Sequence, residues 1–73
     1  MNKAEWKKRN EAENILKEMI AILDPKKDES SVAFRLRNQL GCMIMSVYTM
    51  PLKTVEAVIA NKEKNMNVAK ACK

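Results

Sequence analysis

Two arginines and two amides lie close together near the middle of the chain, and their side chains suit an anionic ligand. Arg35 and Arg37 are separated by one residue and are followed directly by Asn38 and Gln39. A guanidinium can grip a phosphate through two parallel hydrogen bonds, and the amides can read a base edge or hold a ribose. The alternative is that both arginines are solvated and cover an apolar stripe with their stems.

The single tryptophan is a second candidate for binding. Helical spacing places Trp6 about 140° from the apolar stripe of the first predicted helix, on the same side as Arg9. We expect Trp6 outside the core of one chain, where it packs on another subunit, stacks on a base or anchors a protein partner. If two copies meet near the loop before Arg35, basic side chains of both line one positive cleft. The predicted ligand-binding residues are Trp6, Arg9, Lys26, Arg35, Arg37, Asn38 and Gln39.

The residue types needed for catalysis are largely missing from this chain. It contains no histidine and one glycine, so it offers neither a Cys–His pair nor a glycine-rich phosphate loop. Carboxylates are not clustered beside an apolar segment, and no set of metal ligands occurs at a known spacing. We therefore predict a protein that is not an enzyme and holds no metal or cofactor.

The net charge of +5 comes entirely from the second part of the chain. Residues 1–30 carry seven basic and seven acidic side chains, whereas residues 31–73 carry seven basic and two acidic ones. Such a surplus attracts nucleotides, nucleic acid, anionic lipid or an acidic protein, and it argues against a mimic of DNA. Nonspecific contact of the lysines with nucleic acid is one alternative, although a lysine face is more often plain solvated surface.

The predicted location is the cytoplasm, without attachment to a membrane. No apolar run reaches the 18 or so residues of a membrane span, and the charged N-terminus lacks the apolar core of a signal peptide. In that reducing compartment Cys42 and Cys72 are expected to be free thiols.

Hydrophobic periodicity predicts an all-α fold in a single domain. Apolar residues recur at helical spacing over 3–23, and a polar stretch over 24–31 supplies Asp28, Ser30 and Ser31 as candidate N-caps for the next helix. A second helix is predicted over 32–50, although Gly41 costs it about 1 kcal/mol relative to alanine unless another backbone packs closely there.

Pro51 leaves the architecture of the C-terminal part open at this stage. It either begins a third helix over 51–64, extending as far as 71, or kinks one long second helix. The fold is accordingly a helical hairpin or a three-helix bundle.

The chain is expected to form a homo-oligomer. Its 73 residues make one small domain with a thin stability margin, yet 47% of them are hydrophobic. This is more apolar material than a small helical hairpin needs to cover, and no disulfide framework or metal reinforces the fold. The predicted interface residues are Leu40, Met43, Met45, Val47 and Tyr48.

One stretch of the chain resembles a known family. A charged first helix, a polar loop and then the segment SVAFRLR at 31–37, running into Leu40 and Met43-Ile44-Met45, are similar to the helical hairpin of phage anti-CBASS and anti-Thoeris sponge proteins. The resemblance implies an oligomer that sequesters a cyclic nucleotide signal between protomers without degrading it. The spacing of the arginine, leucine and methionine positions departs from that pattern, so the resemblance assigns no binding residue.

The sequence therefore predicts a non-enzymatic oligomer that sequesters an anionic small ligand, of the type of a cyclic nucleotide. One alternative is a small helical inhibitor or adaptor that lays an apolar face on a host protein, with Trp6, Met45 and Tyr48 as anchors. Another is a nonspecific nucleic-acid binder, whose affinity would fall steeply with salt.

Overall fold

The structure, a computed structural model, describes residues 2–23 and 31–72. These ranges contain four helices, α1 (Lys3–Ile22), α2 (Val32–Ser46), α3 (Leu52–Ala60) and α4 (Lys62–Cys72). The predicted all-α class is confirmed. The predicted loop over 24–31, including Lys26, lies outside the described residues except for Ser31.

The two longer helices begin at side-chain caps. Asn2 accepts a hydrogen bond from the Glu5 N–H at 2.8 Å, and Ser31 accepts one from the Phe34 N–H at 3.0 Å. Each cap satisfies one of the N–H groups that the first turn of a helix leaves without a partner. Of the candidate caps for α2, the structure uses Ser31.

The second helix is shorter than predicted, ending at Ser46 instead of residue 50. The backbone tightens into turns in which Thr49 N–H bonds to the Ser46 carbonyl at 3.0 Å and Met50 N–H bonds to it at 2.9 Å. Pro51 restricts Met50 and has no N–H to donate to the Val47 carbonyl, so the helix cannot continue through this segment. The Val47 carbonyl accepts a hydrogen bond from Arg9 instead.

The predicted C-terminal helix is divided into two helices at Asn61. This residue has φ −101° and ψ 21°, and its Nδ2 donates to the Ala57 carbonyl at 2.8 Å. An asparagine side chain that bonds to the backbone competes with regular helical bonding, which accounts for a break here. The helix α4 then continues to Cys72 and buries Ala69 completely.

α1 is the central element and packs against the other three helices. The core is aliphatic, and none of the three aromatic side chains is buried in it. Leu40 and Val47, predicted at an oligomer interface, lie in this core because the side of α2 that carries them packs on α1. The buried apolar residues are Ala12, Ile15, Leu16, Met19, Leu23, Ala33, Leu40, Val47, Val55, Val58 and Ala69.

Candidate functional site

Arg9, which the sequence suggested as a ligand-binding residue, is used inside the fold. It is 6% exposed, and its Nη1 donates to the Val47 carbonyl at 2.9 Å and to the Met50 carbonyl at 2.6 Å. Its Nη2 lies 3.3 Å from the Glu5 carboxylate. The turn after α2 crosses this flank of α1, so a position that looked outward on an isolated helix is covered. The Arg9 Nε is buried without a hydrogen-bond partner among the described residues. Arg9 therefore caps the end of α2, and its burial keeps it from a phosphate ligand.

Several of the predicted ligand-binding residues lie on the outward side of α2 and are accessible to solvent. Arg35, Asn38 and Gln39 are exposed, and Cys42 follows them on the same side as a free thiol. Arg37 differs, because it is half-buried and its Nε is buried without a hydrogen-bond partner within the described ranges. The sequence contains no Asp or Glu between residues 30 and 55, so this side of the helix is free of local carboxylates.

Trp6 lies at the other end of the α1–α2 pair from these arginines. The bonds from Arg9 to Val47 fix the N-terminal end of α1 beside the C-terminal end of α2. Because a helix rises 1.5 Å per residue, Arg37 lies about 15 Å along α2 from that point. One chain therefore does not bring Trp6, which is 51% exposed, together with the arginines.

The remaining predicted interface residues are divided between two sides of α2. Met45 is 89% exposed. Met43 is half-buried and lines a groove of about 320 Å³ with residues of α3 and α4, among them Val58. Tyr48 is half-buried in the turn after α2, beside Glu13 of α1.

The environment of Tyr48 raises the pKa of its phenol above the usual value of 10.0. Desolvation is the largest cause, and the charge and hydrogen bond of the Glu13 carboxylate add to it. Both effects disfavour the phenolate, whereas the Lys17 ammonium acts in the opposite direction on the pKa. Lys17 lies 3.3 Å from the same carboxylate, so the three groups form one small polar cluster.

Two grooves within residues 2–23 and 31–72 do not coincide with the predicted ligand-binding residues. The groove of about 320 Å³ between α2, α3 and α4 and another of about 600 Å³ along α4 share Lys64 and Asn61 in their linings. Neither is lined by Trp6 or by an arginine of α2. The predicted ligand residues on α2 thus form an open surface among the residues that the structure describes.

Comparison of this chain with protein families, curated proteins and solved structures finds no match. Across residues 2–23 and 31–72, no helix combines the length and apolar character needed to cross a membrane. The same part of the chain contains no group of three or more Cys, Asp or Glu placed to hold a metal ion.

Proposed function

We propose that this protein is a non-enzymatic cytoplasmic binding protein that captures an anionic small ligand of nucleotide type on the outward side of α2. Arg35 is the principal phosphate contact, Asn38 and Gln39 hold the base or ribose, and Arg37 assists from its half-buried position. The observation that carries the proposal is the exposure of Arg35, Asn38 and Gln39 within a segment that lacks carboxylates.

The electrostatics of this surface support an anionic ligand. A guanidinium on an exposed helix side has room to meet a phosphate edge-on, which is the geometry of its strongest hydrogen bonds. The nearest acidic residues in sequence are Glu29 and Glu56, so an approaching anion meets no repulsion from α2 itself.

Assembly with further copies is part of this proposal. The surface is open in one chain, whereas small-ligand sites are typically concave and bury most of the ligand. A second copy beside α2 would supply the missing wall, as in the sponge proteins that residues 31–45 resemble. Sequestration by such a site needs affinity and abundance but no chemical step.

The experiment that tests the proposal is native mass spectrometry of the protein with a panel of linear and cyclic nucleotides, followed by calorimetric titration of any nucleotide retained. Replacing Arg35 and Arg37 by glutamine should weaken binding at least tenfold, since each hydrogen bond to a charged group contributes about 1.5–3 kcal/mol. Helicity should persist, because Arg35 is exposed and Arg37 is only half-buried.

A matched control separates a phosphate contact from the general effect of charge. Lys53→Gln with Lys62→Gln removes the same number of positive charges from exposed positions on α3 and α4. If this control weakens binding as much as the arginine pair does, the outward side of α2 is not the site. If no nucleotide of the panel is retained, the proposed ligand class is wrong.

A second candidate function, a helical adaptor for a host protein, is favoured by the apolar side chains exposed on α2. Met45 is 89% and Val32 is 67% exposed, and methionine surfaces adapt to varied partners. Capture of a protein partner that resists moderate salt and is lost in Met45→Ser would support this function, whereas capture that disappears in moderate salt would count against it.

A further inference from the structure

The groove between α2, α3 and α4 has the size and the location of a small-ligand site. Its volume is about 320 Å³, and its lining takes Met43 from α2 and its other residues from α3, α4 and the break between them. Small-ligand sites in helical bundles lie between helices, and their volumes are typically about 300–1,000 Å³. Arg35, Asn38 and Gln39 do not line this groove, so it is separate from the proposed nucleotide surface. We call it the three-helix groove.

One part of the three-helix groove is apolar. Met43 is half-buried, Val58 is 7% exposed, and Ala57 adds only a methyl group to the lining. Methionine has three rotatable bonds, so Met43 can adjust to the shape of an apolar ligand. A water molecule occupies about 30 Å³ of the liquid, so a volume of about 320 Å³ corresponds to roughly ten non-hydrogen atoms. The apolar body that fits this groove is therefore short.

The rest of the lining is polar, and most of its side chains are available to a ligand. Among the described residues, no protein group bonds to the side chains of Thr54, Lys64 or Asn65. Asn61 donates one amide hydrogen to the Ala57 carbonyl at 2.8 Å, which orients the amide and leaves its second N–H for another acceptor. The groove thus offers one ammonium together with amide and hydroxyl donors.

The carboxylates of the surrounding helices lie away from the three-helix groove. α2 contains no Asp or Glu, and Glu56 of α3 bonds to Lys8 of α1 at 3.0 Å. On α4, helical spacing of 100° per residue places Glu63 about 160° from Asn65. Among the described residues that line the groove, Lys64 is therefore the one charged group. Charge complementarity favours a ligand with a single negative charge.

A carboxylate fits this lining better than a phosphate does. Lysine is a compact point charge, whereas the forked donors of arginine suit phosphate, and no arginine lines the groove. A phosphate monoester carries a charge of about −1.5 to −2 at neutral pH, which one ammonium does not balance. The single charge of a carboxylate matches Lys64, and the amides of Asn61 and Asn65 can donate to its oxygens.

We propose that the three-helix groove binds a small organic acid that has one carboxylate and a short apolar body. Lys64 pairs with the carboxylate, to which the amides and the hydroxyl of the lining donate hydrogen bonds. The apolar body packs on Met43 and Val58, away from water. This second binding site does not depend on the nucleotide surface of α2 or on further copies of the chain.

The first test is titration with octanoate of protein that carries carbon-13 in its methionine methyl groups, followed by NMR. We expect the Met43 methyl signal to shift and to saturate at one octanoate per chain. The Met45 methyl signal should stay in place, because Met45 is 89% exposed and does not line the groove. Octanol and octylammonium have the same chain without the negative charge, so each should bind about threefold more weakly or worse.

A lysine variant tests the contact with the carboxylate. Lys64→Met keeps an apolar side chain of similar length, so it should weaken octanoate binding about threefold or more and remove the preference for octanoate over octanol. Lys62→Met is the matched control, since Lys62 is exposed on the same helix and does not line the groove. Equal weakening by both variants would overturn the pairing of Lys64 with the ligand.

A bulky side chain tests whether the ligand lies in this groove. Ala57 is exposed and lines the groove, so the ring of Ala57→Phe should fill part of it and abolish octanoate binding. Ala60→Phe adds the same ring to an exposed position of α3 that lines the groove along α4 instead, and it should leave binding unchanged. The reverse result would place the ligand elsewhere and overturn the proposal. Circular dichroism confirms that both variants retain their helicity.

These outcomes are separable from those of the nucleotide experiment. The glutamine variants of Arg35 and Arg37 should bind octanoate as the parent protein does, whether or not a nucleotide is retained. A Met43 shift that grows linearly with octanoate concentration and does not saturate overturns the proposed site. Octanol binding as tight as octanoate binding overturns the carboxylate as the recognised group.

Discussion

Arg9 shows how one side chain can join separate helices. Its guanidinium sits on α1, bonds to the Val47 and Met50 carbonyls beyond the end of α2, and pairs with Glu5 one turn earlier. The last carbonyls of a helix have no partners within it, and a buried cation is well placed to satisfy them. Arg9 thereby fixes the position of α1 along the axis of α2.

Replacing Arg9 by methionine should lower the free energy of unfolding by about 3 kcal/mol, because buried carbonyls lose charged donors. Urea unfolding followed by circular dichroism measures this loss. The control is Lys8→Met, which breaks an exposed ion pair with Glu56 and should cost less than about 1 kcal/mol. Equal losses in the two variants would mean that the Arg9 bonds do not stabilise the fold.

The raised pKa of Tyr48 predicts that the free energy of unfolding falls at alkaline pH. Its folded-state pKa is raised above 10.0 by desolvation and by Glu13, so the folded state resists losing the phenol proton. The associated stability is present below pH 10.0 and is lost as the pH rises through the folded-state pKa. Tyr48→Phe should therefore flatten the pH dependence of unfolding in this window.

The phenol can be titrated directly, since the chain has one tyrosine and its ultraviolet absorbance changes on ionisation. Glu13→Gln should bring the measured pKa of Tyr48 down towards 10.0, because it removes the neighbouring negative charge. Glu11→Gln, at an exposed position on another side of α1, should leave the titration unchanged. A Tyr48 pKa that is the same in all three proteins would exclude the Glu13 interaction.

At the scale of the element, α2 combines a core side, a groove side and two exposed sides in 15 residues. Ala33 and Leu40 face the core, and Met43 faces the groove towards α3 and α4. The apolar side chains of α2 are thus divided between the core, the groove and the exposed sides. An added Cβ at Gly41 would meet nothing within 4 Å, so the fold of one chain does not require a glycine there.

Gly41→Ala should therefore stabilise the fold. Alanine should raise the free energy of unfolding by about 1 kcal/mol, since it favours the helix and its methyl group meets no neighbour. Urea unfolding followed by circular dichroism measures this gain. A variant that is less stable than the parent protein would show that another backbone packs closely at Gly41.

At the scale of the whole molecule, α4 completes the core although its own sequence is mostly polar. Its one buried residue among those described is Ala69, which is fully buried where α4 packs on α1. A small side chain at this position allows close approach of the helices. Met66 and Cys72 of α4 are partly buried and also pack against the core, so α4 docks through these side chains together with Ala69.

A larger side chain at this contact should separate α4 from α1. Ala69→Leu is expected to cost about 1–3 kcal/mol of unfolding free energy through overpacking. Ala71→Leu adds the same atoms at an exposed position and should be nearly neutral, so it serves as the control. The two variants are compared by urea unfolding and by the rate of proteolysis within residues 62–72. Equal stability and equal proteolysis of both would mean that α4 does not dock in solution.

Local patterns in the sequence determined the helical class, the extent of α1, the start of α2 and the exposure of Arg35, Asn38 and Gln39. These features depend on periodicity and on side chains that act within a few residues, such as the Ser31 cap. Periodicity also placed Trp6 outside the core, as the structure has it.

The tertiary structure decided what each outward side of a helix meets. Periodicity gives the direction of a side chain but not the neighbour that lies there, so it placed Arg9 at the surface and Leu40 and Val47 at an interface with another subunit. The turn between α2 and α3 covers Arg9, and α1 covers Leu40 and Val47. The break at Asn61 also depends on a balance between side-chain and backbone hydrogen bonds that apolar spacing does not record.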